Sequence, residues 1–286
     1  MIPAELSFDG PGRRAFLIGV TFVIFVAMSL SMMQFLADRY FAAAAALVDD
    51  PMTEELDMID VSDSSLSSYL KAIGALEKAA MLAPMDSEYA RSLGDLYFRV
   101  AEWQETMLAL GVGDRGRLSG VENPRAAAFW NVSRAASLDP ANADHHLALG
   151  RLYAVSGMRD EALGELNRAT QAYPINSTVR YSAAMQMLMI GLDRQAGEQA
   201  RMIAQCDDSY RLDEDDPGTS QKRERRLPEY IHMLSNSYLY KAMEIVWRTS
   251  GRDSRAVLAI VPDNVDAREV GRLFSDAKAL PIDSVH

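Results

Sequence analysis

Residues 143–176 read ADHHLALGRLYAVSGMRDEALGELNRATQAYPIN. Gly150 and Tyr153 lie in the first half; Ala162, Leu166, Ala169 and Pro174 lie in the second. Small and apolar residues at these spacings describe two short helices closing on each other. A hairpin of this length cannot bury its apolar face alone, so several must stack. The chain carries the boundary signals such a stack needs. Pro84-Met-Asp86, Pro140-Ala-Asn142, Pro174-Ile-Asn176 and Pro262-Asp-Asn264 share one form. In each, Pro cannot continue the preceding helix, and Asp or Asn is suited to cap the next one. Pro140 and Pro174 stand 34 residues apart. The wider spacings on either side leave room for two polar inserts, one around Gly111–Gly116 and one from Asp213 to Arg226. Their Gly, Pro and charged residues are loop chemistry.

A 34-residue period with this pattern resembles the tetratricopeptide repeat (TPR) superfamily. The resemblance covers roughly residues 65–280 and is most specific in 143–176. It implies an all-α chain: an N-terminal transmembrane helix, then a TPR-like α-solenoid of about four to five hairpins. Residues 264–279 close it as a capping helix, with Val265, Val270, Leu273, Phe274 and Ala277 apolar. In that family the first helix of each hairpin faces a partner-binding groove. Carried over by phase, the groove takes Glu88, Arg91, Asp95, Phe98 and Arg99 from the second repeat. The third gives Asp144, Leu147 and Arg151, and the fourth Tyr181, Met185 and Met189. Arginine suits carboxylate recognition, and Met and Tyr suit an apolar segment. Against this, Arg91, Asp95 and Arg99 are spaced to pair along their own helix. The Lys-and-Asn pattern of TPR clamps that grip chaperone C-termini is absent.

The 286 residues carry a formal charge of −11 and are 49% hydrophobic. The acidic balance and the lack of a basic stripe argue against nucleic acid as a partner. Cys206 is the single cysteine, which excludes an internal disulfide framework; on a helical pattern it reads as a small core residue. His145 and His146 are adjacent and point apart on a helix, and His146 falls at a packing position. The sequence shows no P-loop, HExxH, GxSxG or CxxCH motif, so no catalytic residue, metal or cofactor is assigned. The reading is a non-enzyme.

Residues 15–36, AFLIGVTFVIFVAMSLSMMQFL, contain no charge. A helix of this length crosses a hydrocarbon core of about 30 Å. Signal-peptide cores run to about 7–15 residues, so an uncleaved anchor is favoured over a cleaved signal. Arg13 and Arg14 precede the span, while Asp49 to Asp63 behind it is acidic. That asymmetry keeps residues 1–14 in the cytoplasm. It places the solenoid on the far side, the periplasm of a bacterial inner membrane. Arg13-Arg14 also resembles a twin-arginine export signal, without its usual Ser or Thr. The organisation expected is a tail over 1–14, an anchor with helical extension over 15–48, an acidic linker over 49–63 and the solenoid over 64–286. Loop inserts are expected near 103–124 and 209–227. Within the solenoid, a half repeat built on Ala72, Leu76 and Ala79 lacks a recognisable first helix. The fifth hairpin takes Leu234 and Tyr238 into one first helix.

The expected function is a membrane-anchored scaffold that binds protein partners in the envelope, as an accessory or assembly subunit. The alternatives are support of a separately encoded membrane enzyme, such as a polysaccharide polymerase or ligase, and a chaperone-like role.

Overall fold

A computed structural model describes residues 11–48, 63–111, 121–207 and 228–278, with side chains from Ile18 onward in the first helix. The acidic linker, the second insert and the side chains of Arg13 and Arg14 lie outside the described residues. Every regular element among the described residues is a helix. They fall into two compact units, divided between Leu138 and Asp139.

The first unit holds α1 (Pro11–Val48), α2 (Asp63–Leu82), α3 (Ser87–Ala109) and α4 (Pro124–Leu138). From Ile18 to Phe35 the side chains of α1 are exposed apart from the partly buried Ser29; from Ala37 onward the helix is packed upon. Ala37 and Ala44 are buried, and Ala37 clusters with Ala79 and Tyr89. Phe41 meets the Tyr89 ring at 5.2 Å. The Tyr89 hydroxyl donates to the Asp38 carboxylate and lies 3.2 Å from Gln34 Nε2. The half repeat therefore has a first helix after all: it is the C-terminal part of α1. The sequence concealed it because FAAAAALV reads as an extension of the anchor, without repeat punctuation.

α3 runs to Ala109, ten residues longer than α5 of the third repeat. Trp103 and Met107 are buried and Arg125 bonds Glu105 at 2.8 Å. Residues 103–109, placed in the insert by the sequence reading, are thus packed helix. Where α3 and α4 cross, a Cβ on Gly94 would lie 2.5 Å from Val132 Cγ2, 3.1 Å from Val132 N and 3.2 Å from Ala128 O. Two of these are backbone atoms that cannot swing aside. Gly94→Ala is expected to cost about 2 kcal/mol, seen as a lowered thermal midpoint. An unchanged midpoint would show that the two helices part without penalty.

The second unit holds α5 (Ala143–Val155), α6 (Arg159–Ala172), α7 (Ser177–Met189), α8 (Asp193–Cys206), α9 (Pro228–Asn236), α10 (Tyr238–Thr249), α11 (Ser254–Leu258) and α12 (Val265–Lys278). The capping residues act as their types predict. Asp86 accepts from the Glu88 and Tyr89 amides, Asn142 from Asp144, Asn176 from Val179 and Asn264 from Ala267. Each first helix ends on a left-handed glycine: Gly157 at φ 75° and Gly191 at φ 69°, one period apart. A side chain is strained in that conformation.

The fifth hairpin departs from the sequence phase. Leu234 lies in α9, but Ser237 caps a new helix and Tyr238 begins α10. α10, not α9, packs on α7 and α8 in the place of a first helix. Val270 and Phe274 of α12 are buried, with Tyr240 and Trp247 packed edge-on to Phe274 at 5.2 and 6.5 Å. Ala277 is exposed, so the capping face ends a turn early. Cys206 is half-buried at the end of α8.

Candidate functional site

The repeat is visible down to hydrogen bonds. His146 and Glu165 are buried; His146 Nδ1 lies 2.7 Å from Glu165 and Nε2 lies 3.0 Å from the Pro140 carbonyl. One period later, buried Arg180 donates to the Pro174 carbonyl at 2.6 Å and to Gln199 at 2.5 Å. His146 and Arg180, Pro140 and Pro174, Glu165 and Gln199 are each separated by one 34-residue repeat. A donor in the first helix thus ties the preceding turn to the second helix in both hairpins. The fold repeats one helical hairpin every 34 residues, the architecture of a TPR-like α-solenoid.

His146 is accounted for by this tie, as its packing position predicted. Among the described residues no cluster of His, Cys, Asp or Glu is arranged to hold a metal ion.

The TPR phase assigned eleven groove residues, and the structure separates them. Phe98 and Leu147 are buried, at 5% and 9% exposure. They belong to the core, because α3 and α5 are covered further round than the phase implies. In the first unit Glu88 and Arg99 are exposed, while Arg91 pairs with Asp95 at 3.1 Å along its own helix. In the second unit Asp144, Arg151 and Met189 are exposed, and Tyr181 and Met185 are half-buried.

The second unit adds residues the phase did not supply. α5, α7 and α10 pack side by side as successive first helices. Tyr181 on α7 meets Tyr238 on α10 edge-on at 5.8 Å, and Thr178 Oγ1 donates to the Tyr238 hydroxyl at 2.9 Å. The Lys241 ammonium stands 4.7 Å from the Tyr238 ring and 5.3 Å from that of Tyr181. Such cation–π contacts hold a cation over an aromatic platform. Burial, then the nearby Glu244 carboxylate, raises the Tyr181 pKa, which keeps the phenol neutral and a hydrogen-bond donor. Lys241 escaped the sequence reading because the second insert hides the phase of α10. The aromatic signal at Tyr238 was visible, but its partner across 57 residues was not.

No family model matches the sequence, and no curated protein is significantly similar to it. Solved structures do match at low identity. The crystal structure of MamA is 14% identical, covering 85% of this chain and 95% of that one, with a TM-score of 0.40. YrrB, described as a TPR protein with an unusual peptide-binding site, is 16% identical over 83% and 100%, at 0.39. Yeast Tom70 is 14% identical over 86% of this chain and 56% of that one, at 0.29.

Proposed function

We propose that this protein is a membrane-anchored TPR scaffold that captures a protein partner on the face formed by α5, α7 and α10. The cluster of Tyr181, Tyr238 and Lys241 carries the reading. It sets two part-exposed aromatic rings and a cation together, and helices α7 and α5 carry half-buried Met185, exposed Met189 and exposed Arg151. That combination suits a segment with apolar and acidic anchors: rings and methionines take the apolar side chain, and Lys241 and Arg151 take the carboxylate.

The anchor is the bare part of α1. Ile18–Val48 has a mean hydropathy of 2.0 over its best window, of which 6% is buried, so the helix is long and apolar enough to cross a membrane. A membrane span keeps such a surface out of water. The flanking charges support a cytoplasmic N-terminus and repeats in the periplasm of a bacterial inner membrane. The protein would then serve as an accessory or assembly subunit of an envelope complex.

Capture from mildly solubilised native membranes tests this. The full-length chain is expected to retain one stoichiometric partner, and Tyr181→Ala with Lys241→Glu to weaken its binding about tenfold or more with helical content unchanged. Undiminished capture by the double variant would remove the α5–α7–α10 face from the proposal.

A further inference from the structure

We propose that the first unit rests directly on the bilayer, through the turn between α2 and α3 and the adjoining face of α4. This rests on α1 being a membrane anchor. α1 is bare up to Phe35 apart from Ser29, cover begins at half-buried Leu36 and buried Ala37, and the first charge after the span is Asp38. Protein cover therefore begins where the hydrocarbon core ends. The elements that begin that cover are the end of α2 and the start of α3. Ala79, Ala80, Leu82 and Ala83 gather around Ala37 and Phe41, and Tyr89 reaches Gln34 and Asp38. The turn at 83–86 is thus level with the outer end of the span.

This edge is apolar where the fold does not require it. Met81 and Met85 are 80% and 79% exposed. The turn itself uses Pro84 to stop α2 and Asp86 to cap α3, and leaves Met85 without a packing role. Trp130 of α4 is 63% exposed. The Arg134 guanidinium lies over its ring at 5.4 Å and also donates to the Pro84 carbonyl, which holds the indole beside the turn. Trp130 and Arg134 line a shallow depression of about 410 Å³ with Phe129, Ser133 and Ser137. On the α1 side, Tyr40 lies under the Lys78 ammonium at 5.5 Å. Methionines at the tip, an amphipathic Trp and Tyr, and Arg and Lys with long apolar stems are the residues a lipid interface takes. Charge on this edge is mixed, with Asp38, Glu77 and Asp86 beside Arg39, Lys78 and Arg134. The contact is therefore apolar insertion at the headgroup–acyl boundary and not recognition of one anionic headgroup. The consequence is that the first unit is held close to the membrane surface instead of swinging on a tether.

Depth-dependent quenching tests it. The full chain with Cys206→Ser carries a single fluorophore at Met85→Cys, Leu108→Cys or Leu30→Cys, in nanodiscs of phosphatidylcholine and phosphatidylglycerol. Leu108 is the exposed control near the other end of α3, and Leu30 reports on the span. Shallow spin-labelled lipid is expected to quench position 85 several-fold more than position 108. Quenching at 30 with 85 as silent as 108 would overturn the proposal while leaving the anchor intact. Silence at all three positions would overturn the anchor reading, and the proposal with it. A position 85 shielded from aqueous quencher in native membranes, yet untouched by spin-labelled lipid, would mean that a protein covers this edge, which also overturns it.

Discussion

Deleting residues 1–48 is expected to unfold the first unit, whereas deleting residues 1–36 is expected to leave it folded. The two deletions differ by twelve residues of α1, and those residues make the packing contacts. Ala37 and Ala44 are buried, the Phe41 ring packs tilted against that of Tyr89, and Asp38 accepts from the Tyr89 hydroxyl. α2 packs on α1 along one face and on α3 along another. Without residues 37–48 it keeps its packing on α3, and its apolar face on the other side meets water. The loss is on the order of 3–5 kcal/mol, a large part of what a small unit has. Hydrogen exchange over α2 and the first turns of α3 checks this. Fast exchange in the fragment 49–286 and slow exchange in 37–286 are expected. Equal protection in both would show that the end of α1 contributes nothing. The result matters for mapping partners, because a partner lost on deleting 1–48 would reflect a collapsed repeat as readily as a missing anchor.

Glu165→Ala is expected to destabilise the second unit by about 3 kcal/mol. Both ring nitrogens of His146 lie within hydrogen-bond distance of oxygens, Glu165 at 2.7 Å and the Pro140 carbonyl at 3.0 Å, so one buried ring joins the carboxylate to the turn. Glu165 also takes Arg168 at 2.5 Å, but that Arg side chain is 64% exposed while His146 is 8% exposed. Removing the carboxylate strands the buried imidazole and leaves the surface guanidinium to water. Arg168→Ala should therefore move the thermal midpoint little, by a few tenths of a kcal/mol. A Glu165→Ala midpoint no lower than that of Arg168→Ala would mean the buried tie does not hold the hairpin.

Much of the fold was legible in the chain. The four P-x-[ND] turns, the small residues of 143–176 and the uncharged run 15–36 are local signals with local mechanisms. Their outcomes, capped helices and a bare N-terminal helix, match because capping and hydropathy act over a few residues. The buried polar tie was half legible. Pro140 and Pro174 show the period, but His146 with Glu165 and Arg180 with Gln199 share no chemistry that a residue pattern would match.

The candidate site was less legible, for two physical reasons. Groove positions assigned by phase assume regular helix lengths, and α3 is too long while α10 follows an insert of unknown phase. Whether a phased residue is a groove or a core residue also depends on how far its neighbours wrap it. That moved Phe98 and Leu147 inward and gave Arg91 to Asp95.

By itself the sequence determined an all-α repeat chain, its turns and caps, and a helix apolar enough to cross a membrane. Each of these follows from residues within a turn or two of one another. Only the tertiary structure decided that the end of α1 is the first helix of the first repeat. It alone brought Tyr181, Tyr238 and Lys241 together, and it alone placed the end of α2 and the start of α3 against α1 where its bare part ends. Those are contacts between segments tens of residues apart, set by how helices pack, and no local pattern encodes them.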